Sequence, residues 1–301
     1  MAMKRIFLGM IVFMVIALGT FAYGGKLVSE ADTVHAEYQT VKTKNYKITE
    51  SKKRFYKKLT AGEQLQLEIS YKGKKVDASK LLFSSTKENV ASVNENGLIT
   101  ANSNGVAVIK VTNKKKNAGV SIFVTVADVS VRTLFIGDSR TLDMFTSKPG
   151  KHYGRVHNGM VVFALDGATA RDMTNILNRV DLGDYDRIVS WMGANDYGHF
   201  EHYQNYYDKL LKKHKKLILC TVGQSNDDCL PERDSVYFGN CVISSFNKKL
   251  KQYAKQHKLT VINVSKAVSK YTTIDGADGL HYSPKPNKKL WKYFVKQIQT
   301  K

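Results

Sequence analysis

From residue 131 onward, short apolar runs alternate with helical stretches, and this constrains the fold more than any other feature of the chain. The runs 131–136 (VRTLFI), 161–165 (VVFAL), 188–192 (IVSWM), 217–222 (LILCTV) and 260–264 are too short for helices and rich in β-branched residues. The stretches 170–180, 203–213, 242–257 and 287–300 lie between or after them and read as helices. Met173, Ile176, Leu177 and Val180 share one helical face, as do Ile243, Phe246, Leu250 and Tyr253, and Leu290, Phe294 and Ile298. Apolar strands separated by amphipathic helices predict an α/β domain with a parallel sheet covered on both faces. Such sheets gather ligands at the carboxyl ends of their strands.

Four polar clusters are expected on that rim. The first run ends in Gly137-Asp138-Ser139 and the second is followed by Asp166-Gly167-Ala168-Thr169. The third ends in Gly193-Ala194-Asn195-Asp196, and Asp278-Gly279-Leu280-His281 follows the fifth. A serine hydroxyl becomes a useful nucleophile when a base takes its proton, and His281 is the candidate base for Ser139. Asp278, three residues before His281, can orient the imidazole and stabilise its cation. The Ser139 and Gly167 backbone N–H groups and the Asn195 amide can face a developing oxyanion. Taken singly, each cluster is an ordinary turn; the ordered set of four carries the signal. Asp138 and Asp196 are expected to hold loops, and Trp191 and Met192 to belong to the core. His199 and His202 are expected on a solvated loop beside the Asn195 cluster. The polar segment 224–240 is a candidate lid.

Residues 46–127 read differently. The runs 64–69 (QLQLEI), 90–93, 98–101, 106–111 (VAVIKV) and 120–126 (VSIFVTV) are separated by turns such as Asn94-Glu95-Asn96-Gly97 and show no helical period. This predicts a small all-β sandwich. A length of 301 residues suits two domains, dividing at 127–130 with little room for a hinge. The net charge of +21 is shared almost evenly by residues 1–129 and 130–301 and is mostly lysine. A diffuse excess suits an anionic cell surface or glycan better than nucleic acid. The three cysteines lack metal-site spacing, and a Cys229–Cys241 bond stays open. Lys4 and Arg5 precede the uncharged run 6–23, which marks residues 1–23 as a signal peptide or an uncleaved membrane anchor. Residues 24–45 read as a linker.

Phe83-Ser84-Ser85, Val90-Ala91-Ser92-Val93, Asn96-Gly97-Leu98-Ile99-Thr100-Ala101 and Gly105-Val106-Ala107-Val108-Ile109 give residues 46–127 a resemblance to the bacterial immunoglobulin-like domain of group 2, an extracellular spacer or adhesive module. Residues 130–301 resemble the SGNH (GDSL-type) hydrolases through Gly137-Asp138-Ser139, Gly167, Gly193 with Asn195 and Asp196, and Asp278 with His281. That resemblance implies a three-layer flavodoxin-like fold, a Ser139–His281–Asp278 triad, an oxyanion hole of Ser139, Gly167 and Asn195, and neither metal nor cofactor. Two departures stand out. Arg140 replaces the usual leucine, either as a surface residue or as a cation favouring an acidic substrate. Ala164-Leu165-Asp166 replaces the usual Asn-x-Gly. The expected activity is an exported serine esterase acting on carboxylic, first of all acetyl, esters of extracellular or cell-wall carbohydrate. An O-acyltransferase or short-chain lipid esterase using the same site, or a non-catalytic glycan-binding adhesin, are the alternatives. No nucleic-acid partner is expected, and no membrane contact beyond residues 6–23.

Overall fold

The structure is a computed structural model that describes residues 34–37, 54–71, 74–116 and 118–300. The signal or anchor segment 1–23 lies outside the described residues. The first unit is a sandwich of two sheets. One holds β1 (Val34–Glu37), β3 (Gln64–Tyr71), β7 (Leu98–Ala101) and β6 (Ala91–Val93), with β4 (Lys74–Lys75) on β3. The other runs β2 (Arg54–Leu59), β9 (Gly119–Val126), β8 (Gly105–Asn113), β5 (Leu81–Ser85). Alternate residues fill the space between them: Ala107, Ile109 and Val111 from β8, Val120, Ile122 and Val124 from β9, and Leu65, Leu67 and Ile99 from the facing sheet. Strand β1 falls within the stretch read as linker and pairs in parallel with β3. Strand β2 was not foreseen because its lysines break the apolar alternation. Those lysines face the second unit instead: Lys57 pairs with Asp181 at 2.9 Å, and Lys58 is buried.

The second unit is a six-stranded sheet ordered β11 (Lys151–His157), β12 (Met160–Leu165), β10 (Thr133–Gly137), β13 (Arg187–Trp191), β14 (Lys216–Cys220), β15 (Thr260–Ile262). The five expected strands are parallel, and β11 is an antiparallel edge strand that the apolar pattern did not reveal. Successive side chains point to opposite faces. Leu134 and Ile136 pack with α2 (Ala170–Leu177), α3 (Glu201–Lys212) and α5 (Asn240–Gln256). Phe135 packs with α6 (Val264–Tyr271) and α7 (Lys288–Gln299) on the other side. The result is the expected three layers, α/β/α. Trp191 and Met192 are core residues, as anticipated. Two short helices, α1 (Ser139–Leu142) and α4 (Glu232–Phe238), and a hairpin of β16 (Thr273–Ile274) and β17 (Tyr282–Ser283) lie in the loops. Helix α4 occupies part of the segment read as a candidate lid.

The sandwich packs against the middle of β11. Tyr56 and Phe123 from the first unit meet Tyr153 and Phe163 from the second, with Tyr56 edge-on to Phe163 at 4.8 Å. Gly154 sits at a bulge with φ 69°, and its carbonyl accepts a hydrogen bond from the Thr125 hydroxyl at 2.8 Å. A Cβ at 154 would meet that hydroxyl at 2.5 Å, so only glycine lets β9 and β11 come this close. The Tyr56 N–H, bonded to the Arg179 carbonyl at 3.2 Å, adds a backbone link between the two units.

On β11 the buried His152 ring shares a 2.8 Å Nε2–Nε2 hydrogen bond with His157 and stacks on Phe145. Burial first, then the neighbouring His157 and Arg155 charges, lowers its pKa to about 3. A histidine depressed in the fold lends stability that is full above its ordinary value of 6.5 and lost as pH falls toward 3. The melting temperature is therefore expected to fall between pH 6.5 and pH 4 more steeply in the wild type than in His152→Phe, which keeps the stacked ring. Differential scanning calorimetry across that range checks it.

Candidate active site

The nucleophile loop is built at the end of β10. A Cβ on Gly137 would collide with the Thr141 side chain, so glycine lets α1 fold back at once. Asp138 caps α1 by accepting the Arg140 N–H at 3.0 Å. This places Ser139 at the first position of the helix, where amide groups lack helical partners. Its Oγ lies 3.1 Å from His281 Nε2. His281 Nδ1 lies 2.6 Å from Asp278 Oδ2. The other Asp278 oxygen accepts the Leu280 and His281 N–H groups at 2.8 and 2.9 Å. One carboxylate thus shapes the turn and also aims the imidazole. With Nδ1–H donated to Asp278, the Nε2 lone pair faces the serine hydroxyl.

Burial alone would raise the Asp278 carboxyl, but the His281 and Leu280 N–H groups and the His281 ring outweigh it and hold it below its ordinary value. It is the anion that an imidazolium needs beside it. Asp138 is the reverse case. Complete burial raises it to about 6 against the opposing pull of Arg140, its N–H and His281. Asp138 holds the loop, as the sequence suggested.

The other two clusters follow β12 and β13, the strands on either side of β10. Gly167, after β12, has φ 63°, which favours glycine, and has open space above it. Asn195 lies in the single turn Ala194–Asp196 after β13, and its Nδ2 donates to the Ala168 carbonyl at 2.9 Å. That bond ties the two loops together and leaves one amide hydrogen uncommitted. Asp196 is buried, accepts the Ala170 N–H at 3.1 and 3.2 Å and accepts the Tyr203 hydroxyl, so it pins the start of α2. His199 and His202 are exposed and line a cleft of about 600 Å³ with Asn195, Thr169 and Asn175. A larger cavity of about 830 Å³ lies between the sandwich and β11, and neither it nor the 600 Å³ cleft is lined by Ser139, Asp278 or His281.

Two expectations need correction. Arg140 is neither a surface residue nor a cation in the cleft: it is 2% exposed. Its Nη1 donates to the Gly223 carbonyl at 2.9 Å, and its guanidinium lies over the Tyr282 ring at 5.1 Å. It fastens the nucleophile helix to the residue beside His281, and Tyr282 was missed because nothing in the sequence paired it with Arg140. The Asp278–His281 cluster does not follow the fifth strand directly, because α6 and β16 intervene. All three cysteines are free, with Cys220 buried in β14 and the Asn226 amide donating to Cys229 Sγ at 3.1 Å.

Residues 33–124 match the family of bacterial Ig-like domains (group 2). No curated protein matches the sequence. Among solved structures, the chain is similar to a lipase/acylhydrolase from Enterococcus faecalis, at 20% identity over 56% of this chain and 96% of that one, with a TM-score of 0.42. A GDSL-like lipase from Bacteroides thetaiotaomicron is similar at 17% identity over 57% of this chain and 87% of that one, TM-score 0.40. A catalytic mutant of an acetylxylan esterase from Geobacillus stearothermophilus is similar at 16% identity over 56% of this chain and 93% of that one, TM-score 0.41. No helix among the described residues is long and apolar enough to cross a membrane.

Gly193 has φ 119°, and a Cβ there would run into the Phe246 ring. Gly193→Ala is expected to cost about 3 kcal/mol or more of stability through strain and overpacking beneath Asn195. Urea unfolding measures it. A loss below about 1 kcal/mol would show that the Asn195 loop can shift to make room.

Proposed function

We propose that this protein is an exported serine esterase that hydrolyses carboxylic esters, acetyl esters of extracellular or cell-wall carbohydrate first among them. The observation that carries the reading is the continuous path from Asp278 through the His281 ring to Ser139, at 2.6 and 3.1 Å. Ser139 Oγ attacks the ester carbonyl while His281 Nε2 takes its proton, and Asp278 stabilises the resulting imidazolium. The oxyanion of the tetrahedral intermediate faces the Ser139 and Gly167 N–H groups and the free hydrogen of the Asn195 amide. The C–O bond then breaks, and the alcohol departs with the proton from His281. Water, activated by the same imidazole, releases the acyl group and restores Ser139.

The carbohydrate substrate and the location outside the cytoplasm are supported by the Ig-like unit and by the charge of +21, which suits anionic surroundings. In this reading residues 1–23 carry export, with or without cleavage.

Ser139→Ala is expected to lower the turnover of 4-nitrophenyl acetate about a thousand-fold or more while leaving the melting temperature within a few degrees. Unchanged turnover would remove Ser139 from the chemistry. Acetate released from an acetylated polysaccharide, measured with and without an added acceptor glycan, separates hydrolysis from acyl transfer.

A further inference from the structure

Few large apolar side chains are exposed among the described residues, and two of them meet at the rim of the catalytic loops. Tyr197 is 49% exposed and Tyr237 47% exposed, with ring centroids 4.8 Å apart. Tyr197 follows Asn195 by two positions and lines the same cleft. Its backbone is left-handed, with φ 51° and ψ 42°. A bulky residue is strained there, and a chain that needed only a turn would favour Gly or Asn. Tyr237 stands on α4, a helix that buries none of its residues and so adds little to the core. Phe238 packs edge-on against Tyr197 at 5.6 Å and steadies the pair.

The surroundings combine apolar surface with polar groups. The cleft beside Tyr197 is lined by Thr169, Asn175, Asn195, His199 and His202. The His199 and His202 rings stack at 5.1 Å, and His199 Nδ1 is bonded to Glu201 at 2.6 Å. The cleft is open, whereas an acyl chain needs an enclosed apolar slot. The cleft does suit a sugar ring, which has an apolar C–H face and a rim of hydroxyls.

We propose that Tyr197 and Tyr237 form a binding platform for a pyranose ring of an acylated glycan, one that orients the ester toward Ser139. This rests on the esterase reading above and names the part of its substrate that the triad does not touch. The sugar stacks its C–H face on the tyrosines while its hydroxyls meet the polar side chains of the cleft. A small aryl ester needs only the triad and the oxyanion donors.

The test compares Tyr237→Ala and Tyr237→Phe with the wild type on acetylated xylo-oligosaccharide and on 4-nitrophenyl acetate. For Tyr237→Ala, the ratio of kcat/KM on the oligosaccharide to that on the small ester is expected to fall about ten-fold, mainly through KM. Tyr237→Phe keeps the ring and is expected to keep the ratio within about two-fold. An unchanged ratio for Tyr237→Ala overturns the platform. So does a selective loss on 4-nitrophenyl octanoate, which would assign the rings to an acyl chain. Calorimetric titration of Ser139→Ala with acetylated xylo- and chito-oligosaccharides reads the platform without turnover. Binding weakened by Tyr237→Ala supports it even if the wild type hydrolyses neither ester, a result that would count against the esterase reading alone. No binding of either oligosaccharide overturns it.

Discussion

The hydrogen bond between His281 Nε2 and Ser139 Oγ joins residues 142 positions apart, and the rest of the second unit can be understood as what holds its two ends still. Ser139 is fixed by the sheet, because β10 lies between β12 and β13 and its loop has little freedom. His281 comes from a loop between β16 and β17, outside the main sheet, and depends on a local device. Asp278 supplies that device by accepting two backbone N–H groups and the ring N–H together. Arg140 then ties the two ends to each other, reaching from α1 to the Gly223 carbonyl and the face of Tyr282. A buried guanidinium is costly unless it is paired and hydrogen-bonded. Here Asp138 is the nearby charge, while Arg140 Nε and Nη2 have no partner. The arrangement favours position over stability at the base of the site.

The sandwich has a structural part in this. It lays β9 against the middle of β11, the edge of the six-stranded sheet, where the Thr125 hydroxyl bonds the Gly154 carbonyl. The aromatic cluster around Tyr56 and the pairing of Lys57 with Asp181 join the units without a flexible link. The orientation of the catalytic rim relative to the Ig-like unit is therefore set by packing.

The sequence made the parallel sheet legible because its strands are buried on both faces and read as unbroken apolar runs. It concealed β11 (KHYGRVH), whose histidines and arginine are accommodated by stacking on Phe145 and by exposure at the sheet edge. It concealed β2 for a related reason, since Lys57 and Lys58 face a neighbouring unit and not solvent. The site residues were legible as an ordered set, and Ser139, Asp278 and His281 do lie together, with Asn195 tied to the glycine loop. What the sequence could not give was direction. Arg140 follows the serine, but only the short helix turns its side chain inward. Tyr197 and Tyr237 stand forty residues apart, and only the position of α4 over the Asn195 turn brings their rings together.

The central claim is that His281 makes Ser139 nucleophilic, and a mechanism-based label tests it most directly. The protein would be incubated with a fluorophosphonate, digested, and mapped by mass spectrometry. The account predicts a single adduct on Ser139, formed quickly in the wild type and lost in His281→Ala. No adduct, an adduct on another serine, or labelling of Ser139 at an equal rate without His281 would contradict it.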